Sequence, residues 1–181
     1  MKEKVINKIF EMFLFFYIVS VIGWIYEVFL EVVVYRWGFS NRGVLFGPYC
    51  PVYGCGALAM IICLGWLMER KIRLFKLNIT PLLVFIGIVI VTTTIELISS
   101  YIMEFTVGSF MWDYTRFSFN FQGRIALNPS IRFGIGGMVI LYVLYPLFKK
   151  VINYLGTRKT NIISGSLAFT MVIDFLFTFV I

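Results

Sequence analysis

Five apolar stretches recur along the chain, at residues 10–35, 48–68, 81–103, 128–148 and 160–181. Each has the length, about 20 residues, that a helix needs to cross the hydrocarbon of a bilayer. Such a segment must satisfy its own backbone N–H and C=O groups, because lipid offers no partners. The predicted fold class is an all-α integral membrane protein, a bundle of five transmembrane helices in one domain over residues 1–181. Composition agrees. Only 14% of the 181 residues are charged and 60% are hydrophobic, whereas a soluble domain carries about 25% charged residues. The first stretch is too long for the apolar core of a cleavable signal peptide and reads as a retained anchor.

The basic residues set an orientation. Lys2, Lys4 and Lys8 precede the first span; Arg70, Lys71, Arg73 and Lys76 follow the second; Lys149, Lys150, Arg158 and Lys159 follow the fourth. These eleven fall on one side of a five-span chain, against Arg36, Arg42, Arg116 and Arg124 on the other. The bias predicts the N-terminus inside and the C-terminus outside; the expected location is the plasma membrane. It also accounts for the net charge of +7 without nucleic acid as a partner. The segments 36–47 and 104–127 then share the outer face.

The most polar stretch is residues 112–137, WDYTRFSFNFQGRIALNPSIRFGIGG. Phe117, Phe119 and Phe121 alternate with Ser118, Asn120 and Gln122, a period of two that predicts an extended segment. Asn128 and Pro129 read as an N-cap and a proline in the first helical turn. Segment 149–159 reads as a basic loop.

Ionisable residues also lie inside the spans, where they are costly and are usually paired or functional. At 1.5 Å per residue, Glu27 lies roughly 12 Å below the outer end of its span, Glu96 and Asp174 roughly 10 Å, and Arg132 roughly 6 Å. Small and polar residues accompany them at helical spacing, as on faces turned toward other helices. Three acids and one base leave a fully ionised layer at −2, which a low dielectric resists. One reading pairs Arg132 with Glu96 or Asp174 as a structural ion pair. The other makes the layer a ligand-binding site for a small cationic or zwitterionic ligand or a proton. Its candidate residues are Glu27, Arg42, Tyr49, Glu96, Trp112, Asp113 and Arg124, roofed by residues 117–121.

The chain has no histidine, which excludes histidine triads, zinc sites with histidine and histidine-ligated haem. Neither a P-loop nor a GxSxG elbow is present, so neither nucleotide hydrolysis by that loop nor ordinary acyl transfer is expected. No cofactor and no metal are predicted. Cys50, Cys55 and Cys63 include no CxxC and read as small buried apolar residues, although Cys50 and Cys55 are close enough in sequence for a bridge.

The ordered motifs GWIYEV, NRGVLFGPYCPVYGCG, an intramembrane glutamate, WDY and FNFQGRIALNPSIRFGIGG resemble a family of bacterial membrane proteins labelled ABC-transporter type IV. The resemblance covers roughly residues 10 to 145. It implies a permease-type transport component, working with an ATPase or as a homo-oligomer. The long cytoplasmic coupling helices expected of a permease have no counterpart in the short connections. Two other readings are a membrane-embedded enzyme acting on a lipid headgroup at the outer leaflet, and a non-catalytic assembly or regulatory subunit. In the enzyme reading Glu27 or Glu96 is the base and Arg42 or Arg124 the anion clamp. The topology makes a direct prediction. A reporter fused after Ile181 is active only if it is a type that works outside the cytoplasm; cytoplasmic activity there contradicts the orientation.

Overall fold

The computed structural model describes residues 2–41, 43–110 and 112–180. The chain is 74% helical, and five helices are long and apolar enough to span a membrane. Helix α1 (Lys2–Phe29) continues into a π-helical turn at Leu30–Val34. Next come α2 (Pro51–Met68), a tight hairpin of β1 (Arg73–Leu74) and β2 (Leu77–Asn78), and α3 (Thr80–Val107). A second antiparallel hairpin, β3 (Asn120–Phe121) and β4 (Ile125–Ala126), leads into α4 (Leu127–Val139). A π-helical segment, Ile140–Leu144, joins α4 to α5 (Tyr145–Leu155), and α6 (Thr157–Phe179) follows. Their apolar surface is mostly not buried against protein: in the fifth span 6% of the most apolar window is buried. Helices so apolar and so little covered suit lipid as solvent.

The helices overrun the predicted spans in ways the local chemistry explains. The first begins at Lys2, because nothing in KEKVINK breaks a helix and Lys and Glu are good helix formers. The predicted loop at 149–159 is instead helix through Leu155, interrupted only at Gly156, whose φ of +74° suits glycine. Lys149 and Lys150 lie on α5 while Phe148 and Ile152 are buried from its other side. The wide turn at Ile140–Leu144 lies just before Pro146, which lacks the amide a regular ladder needs. The cap of α4 is Ala126, extended, rather than Asn128, so Asn128 and Pro129 both fall in the first turn. Of the predicted extended segment only Asn120–Phe121 is strand; a turn from Phe117 N–H to the Tyr114 carbonyl breaks the alternation.

The chain divides into two compact units, Met1–Leu58 with Tyr145–Ile181, and Ala59–Leu144. In the first, α1 packs on α6 and α5. Phe15, 1% exposed, sits between Tyr145 and Phe148, with ring centroids 5.2 and 5.0 Å away. Ser164 donates to the Phe10 carbonyl at 2.8 Å, a polar contact between α6 and α1. Gly54 lies so close to Phe16 and Ser20 that a Cβ there would collide with the α1 backbone. Cys50 N–H donates to the Ser20 carbonyl at 2.9 Å at the same crossing. All three cysteines are free thiols; only Cys50 is buried.

In the second unit α3 packs on α4. The sequence RFGIGG provides the contact. Gly134 faces Phe85 and Val89, and Gly137 faces Ile88, each too closely for a side chain. Thr93 donates to Ser130 at 2.8 Å across the same interface. Gly136 faces open space. Small residues at such crossings let helices pack without a hydrophobic drive. Gly137→Leu is expected to destabilise the fold by about 1–3 kcal/mol through overpacking. Gly136→Leu is expected to leave it unchanged or slightly firmer, since glycine is a poor helix former. Thermal unfolding of both variants in detergent micelles checks this, and equal behaviour of the two contradicts the interface.

Candidate functional site

The intramembrane acids recruit their hydrogen-bond donors from tyrosines and loop amides. In the first unit Tyr53, on α2, donates to Glu27 of α1. One turn further along α1 the π-helical segment turns Glu31 inward, and it is 6% exposed. Its carboxylate accepts from the Ser40 hydroxyl at 2.7 Å and the Ser40 amide at 3.2 Å. Asp174, on α6, accepts from the Phe46 amide at 3.1 Å, the Gly47 amide at 2.8 Å and the Tyr49 hydroxyl. Asn41 orders the same loop: its amide donates to the Leu45 carbonyl at 2.9 Å, and its oxygen accepts from Trp24 at 2.8 Å. Segment 36–50 is thus folded around side chains of α1 and α6. Arg42 lies outside the described residues.

The second unit holds the other cluster. Arg124 is 8% exposed although it is always charged. It sits in the three-residue turn between β3 and β4, where Gln122 and Gly123 take φ of 54° and 68°. Its guanidinium pairs with Glu104 near the end of α3 and reaches Ser100 at 3.4 Å. The rings of Tyr101 and Phe110 lie 4.2 and 4.6 Å from it, so two aromatic faces complete a box around the cation. Trp112 donates its indole N–H to the Arg124 carbonyl at 2.8 Å. The Tyr114 amide donates to the Gly123 carbonyl at 2.9 Å. From there the Tyr114 hydroxyl donates to Glu96 at 2.8 Å.

Glu96 is the unusual acid. One oxygen accepts from Tyr114, while the other is buried with no hydrogen-bond partner among the described residues. A buried carboxylate oxygen without a donor is costly, and the group is expected to hold a proton or to attract a cation. Asp113 behaves differently. It is exposed and accepts from the Thr115 amide at 2.8 Å and hydroxyl at 3.0 Å, an Asx turn that shapes the loop. The Thr115 amide, then its hydroxyl, hold the Asp113 carboxyl below the usual carboxylate range.

The structure therefore brings Trp112 and Arg124 together, and places Glu96 on Tyr114 beside them in sequence. Asp113 turns away toward Thr115. Glu27, Tyr49 and Asp174 belong to the first unit. Arg132 is exposed and makes no ion pair with Glu96 among the described residues; Glu96 is turned to Tyr114 instead. Phe119 and Phe121 are exposed, at 76% and 50%, rather than folded under as a roof. Glu104 and Tyr101 escaped sequence reasoning, and Ser100 was legible only as part of the polar face that carries Glu96. Their spacing at 100, 101 and 104 marks one helix face, but only the hairpin brings Arg124 to it.

The family described as "Putative ABC-transporter type IV" matches residues 14–179. The chain belongs to this family. The match takes in both units and every candidate site residue, and with five membrane-capable helices it fits a membrane transport component. Comparison with curated proteins and with solved structures gives no significant match.

For this member of the ABC-transporter type IV family, the Arg124 box carries a clear expectation. Arg124→Ala removes the ion pair with the half-exposed Glu104 and empties the aromatic cleft, and should destabilise the fold by about 1–3 kcal/mol. Arg124→Lys should recover little, because an ammonium lacks the planar fork and the stacking face. Thermal unfolding in micelles reads both, and a wild-type melting point for Arg124→Ala removes the box from the account.

Proposed function

We propose that the chain is the membrane-embedded component of a transporter, oriented with its N-terminus inside the cell, whose tyrosine-held carboxyls bind a proton or the cationic end of a small solute. The observation that carries the reading is the Glu96 oxygen buried without a donor. A carboxyl in that state favours one added positive charge, and ionisable groups inside membranes serve as proton relays and ion sites. Tyr114 orients the group by donating to its other oxygen. In the first unit Glu27, half-buried, shares only the tyrosine donor, accepting from Tyr53. Family membership supports transport, with an ATPase partner or a homo-oligomer supplying what the chain lacks. The bilayer in question is the plasma membrane.

The alternative of a lipid-headgroup enzyme is less favoured. Of its two candidate anion clamps, Arg42 lies outside the described residues, and the Arg124 guanidinium is already neutralised by Glu104 and enclosed by rings. Glu96→Gln keeps the shape and removes the exchangeable charge. In cells that depend on the protein, Glu96→Gln should lose activity while expression and melting point stay near wild type. Glu27→Gln should do the same in its own unit. Folded, fully active variants at both positions contradict the reading and leave the carboxyls as structural groups.

A further inference from the structure

A groove of about 790 Å³ runs along the amino-terminal half of α1. Lys4 and Lys8 stand at one end, and Met12 and Phe16 continue the same stripe at four-residue spacing, with Leu58 and Met171 on the walls. Apart from the two ammonium groups the lining is apolar. From Lys4 to Phe16 the helix rises roughly 18 Å. One leaflet of hydrocarbon is roughly 15 Å deep, half the thickness of the core. The groove therefore matches a single leaflet in length, charged at the headgroup end and apolar to the midplane.

Its charge is unbalanced. Lys8 and Lys149 share the single carboxylate of Glu11, at 3.4 and 3.1 Å. Among the described residues Lys4 is in no ion pair. The first turn of α1 adds Lys2 and Glu3 at this end, so lysines outnumber carboxylates there. We propose that the groove is a binding site for an anionic phospholipid, its phosphate held by Lys4 and Lys8 and one acyl chain lying along Met12 and Phe16. Basic pockets between membrane helices take anionic headgroups by this chemistry. Lysines at span ends also snorkel toward any headgroup. What distinguishes a site is the apolar channel beneath them, which accepts a chain as well as a phosphate.

The test is native mass spectrometry of the full chain in detergent, titrated with phosphatidylglycerol or with phosphatidylcholine. The expected result is one phosphatidylglycerol bound in preference to phosphatidylcholine. Each lysine near the surface contributes roughly fivefold, so Lys4→Gln with Lys8→Gln should weaken that binding on the order of 25-fold. The paired control Arg70→Gln with Lys71→Gln, outside the groove, should leave it unchanged. If the double variant at the groove does not fold, Lys4→Gln alone should weaken binding roughly fivefold. Equal binding of the two lipids by the wild type overturns the proposal, as does equal weakening by both double variants, which marks diffuse surface attraction. A chain that forms a dimer and binds no lipid overturns it as well, by assigning the groove to a second copy.

Discussion

A carboxylate placed among lipid chains has no water to donate to it, so its donors must come from the protein itself. That constraint explains much of the irregular structure. The segment between α1 and α2 is not a passive connection. Its amides at Phe46 and Gly47, and the hydroxyls of Ser40 and Tyr49, are spent on Asp174 and Glu31. The hairpin before α4 does the converse for a cation. It delivers Arg124 to a carboxylate, a hydroxyl and two aromatic rings on and beside α3. In both units the loops are shaped by charges on helices.

The spanning helices were legible because their signal is length and composition, which neighbours do not alter. The acids Glu27, Glu96 and Asp174 were legible as important for the same reason: charge in an apolar run stands out. Their partners were not. Tyr53 and Tyr49 resemble any interfacial aromatic until the fold brings them to Glu27 and Asp174. Nothing in the sequence around Leu30–Val34 announces the π turn that buries Glu31, since a π turn leaves the apolar pattern almost intact. The hairpin at Arg73–Asn78 was hidden too. Its turn residues Phe75 and Lys76 take φ of 49° and 79°, where asparagine and glycine are the usual signal. Of the three glycines in RFGIGG two pack against a neighbouring helix; the third faces outward because helical spacing puts 134 and 137, but not 136, on one side.

Loop 149–159 illustrates a different limit. Charge density alone suggests an irregular chain, yet lysine is a good helix former when an apolar face is available to bury. Phe148 and Ile152 provide that face, so the helix continues until Gly156. Only the break is written locally, in a residue that tolerates positive φ.

The number of donors separates the acids into two kinds. Asp174 accepts from two amides, a tyrosine hydroxyl and, at 3.4 Å, Thr178. A carboxylate so supplied anchors its donors and fixes the loop that carries them. Glu31, with both Ser40 donors, holds its own stretch of that loop. Among the described residues Glu27 and Glu96 each have one tyrosine donor, and Glu96 has an oxygen with nothing to accept from. In the proposed function a proton or cation arriving at either of these two competes with one donor rather than four, and the surrounding chain stays in place. In the proposed function Glu27 and Glu96 are the carboxyls that change state and Asp174 and Glu31 those that hold shape, and the difference between them lies in how completely the neighbouring donors are used.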